Sequence, residues 1–340
     1  MTLWKATAKK WVQRLCAPLA LPLYGGVGSV LMFHRVVDDP LPERLGQNDE
    51  IETSSAMLSQ LVSRLRRRYD FVGIDEMVEV LQAGKTRARR FLVVTFDDGY
   101  RDVHLMARPI LAGLGVPFTL YLTSGFPDRT VIPWPQMLER LLLSRSRLEL
   151  DLGNGGLELK LDTPALRGKA FAEISARFAA AGGEDAALAG KVFGADEIAR
   201  GQRELYLSWT EVAELAASPG VTLGAHSVLH RNLLRLSDEQ AEWEMAESRR
   251  RIEEELGRRV HHFAYPFGAR AHAGPREFQL ARKLGFTSAV TTRVANVHLE
   301  NSRHLQALPR IYGSTINEVE LQLSGAVSAL RYFGRRVVSS

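Results

Sequence analysis

LVVTFDDGY, residues 92–100, carries a fully apolar run into two adjacent carboxylates, Asp97 and Asp98, and then a glycine. Strand-like residues ending on polar chemistry place that chemistry at a strand terminus. An Asp-Gly pair after a strand is a common turn, but a turn needs one aspartate and this segment has two. Two carboxylates held side by side repel unless a cation or a proton lies between them.

Outward from this stretch, strand-like and helix-like segments alternate along the chain. SVLMFHRVV, residues 29–37, gives a strand over Ser29–Phe33 with His34 at its end. Leu58, Leu61, Val62 and Leu65 recur at helical spacing, and DEMVEVLQAG reads as a short helix stopped by Gly84. After residue 100 come a helix, the strand PFTLYLT, and two capping boxes, Ser208 with Glu211 and Ser237 with Gln240. The second of these opens a helix ending near Gly257. The strand VTLGAH lies between the boxes. HHFAYPFG, a helix REFQLARKLG, the strand FTSAVTT, ALPRIYG and a last amphipathic helix complete the chain. Such alternation predicts a parallel sheet with helices outside it, as a barrel or an open sheet. Residues 127–205 break the rhythm and read as an insertion holding a helix, a hairpin and further helix, placed as a cap over a site. The expected division is a basic N-terminal segment over 1–27, the α/β body over 28–315 and a C-terminal helix over 316–340.

A cation becomes plausible at GAHSVLH, where His226 ends an apolar strand and His230 follows four residues later. With Ser227–Leu229 as a helical turn, both imidazoles would share one face and reach one metal ion. The C-terminal ends of parallel strands share one face of the fold, so aspartates and histidines would meet there. Two histidines and one carboxylate with open positions form a hydrolytic zinc-type site. One aspartate is then a ligand, and the other stays free as a general base.

The composition sets outer bounds. The chain has 340 residues, 45% hydrophobic and 24% charged, with a net charge of +5. This is a globular composition, and the positive charge favours anionic surroundings. The excess is not gathered in one block, and no nucleic-acid partner is expected. Cys16 is the single cysteine, which excludes a disulfide within the chain and suits a reducing compartment. Lys5, Lys9, Lys10 and Arg14 beside Leu3, Trp4, Trp11 and Leu15 would suit a helix lying on a membrane surface, or one docked on the protein's own body. No run approaches the ~20 apolar residues of a membrane span. The expected location is the cytoplasm, with peripheral contact at the inner face of a membrane.

Taken together, these residues resemble the polysaccharide deacetylases, also called the NodB-homology or carbohydrate esterase family four domain. TFDDGY matches the first motif of that family and HSVLH the second, while FAYPFG and the GFTSAVTT strand are similar to the third and its surroundings. The resemblance spans residues 28–312, thinly through the insertion. It implies a distorted (β/α) barrel and metal-dependent removal of acetyl groups from N-acetylated sugars in a glycan or glycolipid. It also implies Asp97 as catalytic base and Asp98, His226 and His230 as metal ligands. Phe267 would supply an oxyanion-binding backbone N–H, with Pro266 and Tyr100 beside the substrate. Zn2+ is the default ion for such a ligand set, and Ni2+, Co2+, Mn2+ or Fe2+ can also fill it.

The sequence departs from the family pattern in two places. The arginine that orients the base is usually in the third motif, and this chain has Ala264 there. Arg310, in ALPRI after a later strand, is the candidate substitute. The usual late acid histidine has no good match, since RHLQALPRI carries only His304. LMFHRV is instead similar to the N-terminal segment of deacetylases whose barrel is circularly permuted, and this implies His34 as general acid. A neighbouring carboxylate would keep its ring protonated near neutral pH. Two further readings stand beside this one: a noncatalytic glycan-binding protein on the same fold, permitted by the missing arginine, and a metal hydrolase of other C–N bonds or esters.

Overall fold

The structure is a computed structural model that describes residues 17–38, 43–45, 48, 51–151, 156–180, 186–313 and 315–332. Leu3, Trp4, Trp11, Leu15 and the basic residues among them lie outside the described residues, and no described helix is long and apolar enough to cross a membrane. The strands in chain order are β1 (Gly28–Phe33), β2 (Arg35–Val37), β3 (Glu52–Ser54), β4 (Asp70–Phe71), β5 (Phe91–Phe96), β6 (Phe118–Leu122), β7 (Arg147–Asp151), β8 (Gly156–Lys160), β9 (Val221–Ala225), β10 (His262–Ala264), β11 (Ser288–Val294) and β12 (Leu308–Arg310).

One sheet runs β1-β5-β6-β9-β10-β11-β12, with β4 added beside β5, and all its strands are parallel. Its two ends meet. The Ile311 amide donates to the Val30 carbonyl at 2.8 Å, and the Met32 amide donates to the Ile311 carbonyl at 2.9 Å. The sheet is therefore a barrel closed by one bridge and not by a full ladder.

Side-chain alternation sorts the strand residues into two apolar groups. Leu31, Leu92, Val94 and Phe96 pack with the surrounding helices. Val30, Phe91, Val93, Tyr121, Ala264 and Leu308, from five strands, pack with one another, as residues lining a barrel lumen must. The helix Ser55–Leu65 buries Leu58, Leu61, Val62 and Leu65 completely, each burial contributing about 1.5–3 kcal/mol. Both predicted capping boxes form, and Gly84 and Gly257 end their helices at φ 64° and 63°, a left-handed conformation that suits glycine.

The insertion holds the predicted helix and hairpin, Trp134–Leu143 followed by the antiparallel pair β7–β8, and then helices Pro164–Ala180, Ala186–Phe193 and Ala195–Leu205. It has an apolar core of its own around Leu138, Leu142, Ile174 and Phe178. Arg129 clasps its two ends together: the guanidinium donates to the Gln202 and Tyr206 carbonyls, and the Gln202 amide donates back to the Arg129 and Val131 carbonyls. The predicted single C-terminal helix is corrected to two, Ile316–Leu323 and Ala326–Tyr332. Gly325, at φ 79°, lies against the Tyr24 backbone, where any larger residue would collide.

Candidate metal centre and active site

The C-terminal ends of β1, β5, β9, β10 and β12 lie at one mouth of the barrel and bring His34, Asp97, Asp98, His226, Phe267 and Arg310 to that face. Among the described residues, four of the five non-glycine residues with positive φ lie here: Asp98 (75°), Ser227 (65°), His230 (55°) and Phe267 (61°). Backbone strain of this kind persists only where the surroundings over-determine it, and it gathers at functional sites.

Asp98 Oδ1 lies 3.3 Å from His226 Nε2 and 3.3 Å from His230 Nε2. His226 Nδ1 is 2.7 Å from the Ala264 carbonyl, which can only accept, so Nδ1 donates there and Nε2 is the nitrogen turned toward Asp98. That nitrogen faces a carboxylate oxygen that is buried and has no hydrogen-bond partner. A metal ion between them would take a lone pair from each. The spacing also fits: donors bonded at about 2.0–2.1 Å to a tetrahedral ion lie about 3.3–3.4 Å apart. Asp98, His226 and His230 are the one group of this kind found among the described residues. Burial pushes the Asp98 carboxyl up, but His230 and His226 outweigh it and hold it well below the usual range.

The His-x-x-x-His segment is not the helical turn expected from its spacing. Its residues form an irregular loop in which Ser227 and His230 are both left-handed. Ser227 Oγ accepts the His230 amide at 2.9 Å, and Glu244 from the helix Asp238–Leu256 accepts the Val228 and Leu229 amides at 2.8 and 2.9 Å. The two imidazoles converge through these contacts and not through helical periodicity.

Asp97 is buried and paired with Arg310 through two parallel bonds, Nη1–Oδ1 at 2.7 Å and Nη2–Oδ2 at 2.6 Å. Arg310 is itself fully buried, and its remaining donors reach the Thr291 carbonyl and Thr95 Oγ1. The arginine paired with Asp97 thus comes from β12, while the position at Ala264 carries none. Burial raises the Asp97 carboxyl, but Arg310 and then His226 overcome it and lower it below the ordinary value. In Arg310→Met a buried carboxylate is left without its partner, a loss of about 3–5 kcal/mol in a denaturation experiment. Burial then dominates and Asp97 titrates higher, so the acid limb of any pH–rate profile moves to higher pH.

His34 follows β1 directly, and the Asp97 amide donates to the Phe33 carbonyl beside it at 3.0 Å. Its ring senses the charges of Asp98, Asp97 and Arg310, which places it at the site. The expectation that a carboxylate keeps it charged is corrected. Burial lowers its pKa by more than Asp98 and Asp97 raise it, so the resting ring is neutral near pH 7.

Phe267 is exposed, its ring packs edge-on to His230 at 4.8 Å between centroids, and its amide makes no hydrogen bond among the described residues. Pro266 is buried at the end of the same segment. Tyr100 is 3% exposed, stacked on Tyr206 and hydrogen-bonded to Gln136 of the insertion. His262 and His298 are both buried.

Sequence reading missed Glu244, Ser227 and the Ala264 carbonyl. It also missed an ionic cluster behind His34, in which Arg35 binds Asp102 at 2.8 Å and Glu52 at 2.6 Å. Arg44 bridges Glu52 to Glu139 of the insertion in the same cluster. Glu244 is the seventh residue of the strongly charged helix Asp238–Leu256, and nothing in the sequence distinguished it from its neighbours.

Comparison with known proteins agrees with this geometry. The Polysaccharide deacetylase family model matches residues 174–289, which hold His226, His230 and Phe267. No curated protein matches the chain by sequence. The fold is similar to that of the Streptococcus pyogenes deacetylase PplD in complex with acetate, at a TM-score of 0.57 and 16% identity, covering 87% of this chain and 97% of that one. IcaB from Ammonifex degensii gives 0.56 and 18%, covering 88% and 96%. A de-N-acetylase from Aggregatibacter actinomycetemcomitans gives 0.53 and 15%, covering 83% and 93%. Residues 174–289 thus match the Polysaccharide deacetylase family model, and the barrel is similar in fold to solved deacetylases.

Proposed function

We propose that this protein is a metal-dependent hydrolase that removes acetyl groups from N-acetylated sugars of a glycan or glycolipid. The observation that carries the proposal is the buried Asp97–Arg310 pair beside the Asp98–His226–His230 donor set. An ionised, oriented carboxylate next to three metal-ligating groups is an arrangement suited to metal-assisted amide hydrolysis. Asp98, His226 and His230 would hold the ion, with Zn2+ as the proposed occupant. When bound, a divalent cation supplies Lewis acidity that polarises the acyl carbonyl and makes water a better nucleophile.

The chain's own groups divide the remaining work. Asp97, held in place by Arg310, takes the proton from the attacking water as its oxygen bonds to the acyl carbon. The Phe267 amide, free of other bonds, faces the negative charge that develops on the carbonyl oxygen. The C–N bond then breaks, and the leaving nitrogen receives a proton from His34. Because resting His34 is neutral, it first takes up a proton from solution, and Asp97 afterwards returns to solution the proton it took from water. Acetate and a free sugar amine result.

His34→Ala is expected to lower turnover by about 100- to 10,000-fold while metal affinity stays at the wild-type value, as measured by steady-state kinetics and metal titration. The noncatalytic reading rested on a missing arginine, and Arg310 removes that ground. The remaining question is the bond cleaved. Matched sugars carrying acetyl as an amide or as an ester separate the readings: release of free amine from the amide supports the proposal. Cleavage of the ester alone would reject it.

A further inference from the structure

The loop between the two histidine ligands has no regular structure to hold it, yet both rings must meet at one point. Its middle is tied to a single oxygen. Glu244 Oε2 accepts the Val228 amide at 2.8 Å and the Leu229 amide at 2.9 Å, and the carboxylate is 1% exposed. Glu244 belongs to the 19-residue helix Asp238–Leu256, which opens with a full capping box and buries Ala241, Met245, Ser248 and Ile252 on the same side. Arg231, the residue after the second ligand, places its Nε 4.0 Å from the other oxygen of Glu244.

We propose that Glu244 is the positioning residue of the metal centre: by binding the Val228 and Leu229 amides it holds the loop in its strained left-handed form and thereby sets metal affinity. The reasoning is that of an entropy already removed. Ser227 at φ 65° and His230 at φ 55° are conformations that non-glycine residues avoid. Charge-assisted bonds to a rigid helix make that conformation the resting one, so the ion does not have to impose it. Without Glu244 two part-buried amides lose their partners, and the loop relaxes to forms in which His230 no longer faces Asp98 and His226. Partners outside the ligand shell commonly govern affinity in this way, by about 10- to 100-fold. The proposal depends on the reading above only in assigning a cation to these residues, not in the reaction.

The test is Zn2+ titration of the full chain against a competing chelator, with no substrate present. Glu244→Ala is expected to weaken Zn2+ binding by about 10- to 100-fold. Glu244→Gln, which keeps one acceptor oxygen but not its charge, should show a smaller loss in the same direction. Ile252→Ala, on the same helix and fully buried, serves as the control: it should lower thermal stability and leave Zn2+ affinity unchanged. Wild-type affinity in Glu244→Ala would overturn the proposal, as would an equal loss in Ile252→Ala. If Glu244→Ala does not fold, Glu244→Gln decides, and unchanged affinity there rejects the role. Failure of wild-type protein to bind Zn2+ would overturn the donor set itself, and this proposal with it.

Discussion

Asp97→Asn is expected to keep the metal ion and to lose turnover by about 100- to 10,000-fold, the range that an oriented proton-accepting group contributes. Asparagine has nearly the shape of aspartate and leaves Asp98, His226 and His230 untouched, so equilibrium metal titration should return the wild-type affinity. Arg310 then faces a neutral amide and is itself a buried, uncompensated charge. The variant should therefore melt lower, and the double variant Asp97→Asn with Arg310→Met should lose less stability than the sum of the two single changes. Loss of metal from Asp97→Asn would reverse the roles of the two aspartates.

Asp98→Asn, His226→Ala and His230→Ala should behave in the opposite way, losing metal and activity together. Each removes one of three donors, so the loss of affinity should exceed the about 10- to 100-fold associated with an outer partner. The two sets of variants are separable by one pair of measurements, bound metal per chain and rate per bound metal. For Asp97→Asn the first is unchanged and the second collapses. For the ligand variants the first collapses.

Much of this was legible in local sequence because the signals were local. Leu92–Phe96 could hardly be anything but a buried strand, and both aspartates are set by where that strand ends. Helices announced themselves by spacing at Leu58–Leu65 and by the capping boxes at Ser208 and Ser237. Arg310 was chosen from its place after a late strand, but its pairing with Asp97 depends on β12 closing the barrel against β1. That closure is a contact between residues about 280 apart, Val30 and Ile311, which no window of sequence contains. The His226–His230 loop failed for a related reason. A spacing of four suggests a helix, whereas the true conformation is imposed by Ser227 Oγ and by a carboxylate 16 positions beyond Val228. His34 was placed correctly at the mouth, but its charge was misjudged because burial cannot be read from a strand end.

The most direct measurement is acetate release from an N-acetylated oligosaccharide by wild-type protein, followed alongside bound metal while the ion is stripped by a chelator and then restored. The account predicts release in proportion to metal bound, falling to background on stripping and returning with Zn2+. Undiminished release from fully stripped protein would contradict it, and so would the absence of release from a broad panel of N-acetylated glycans with metal bound.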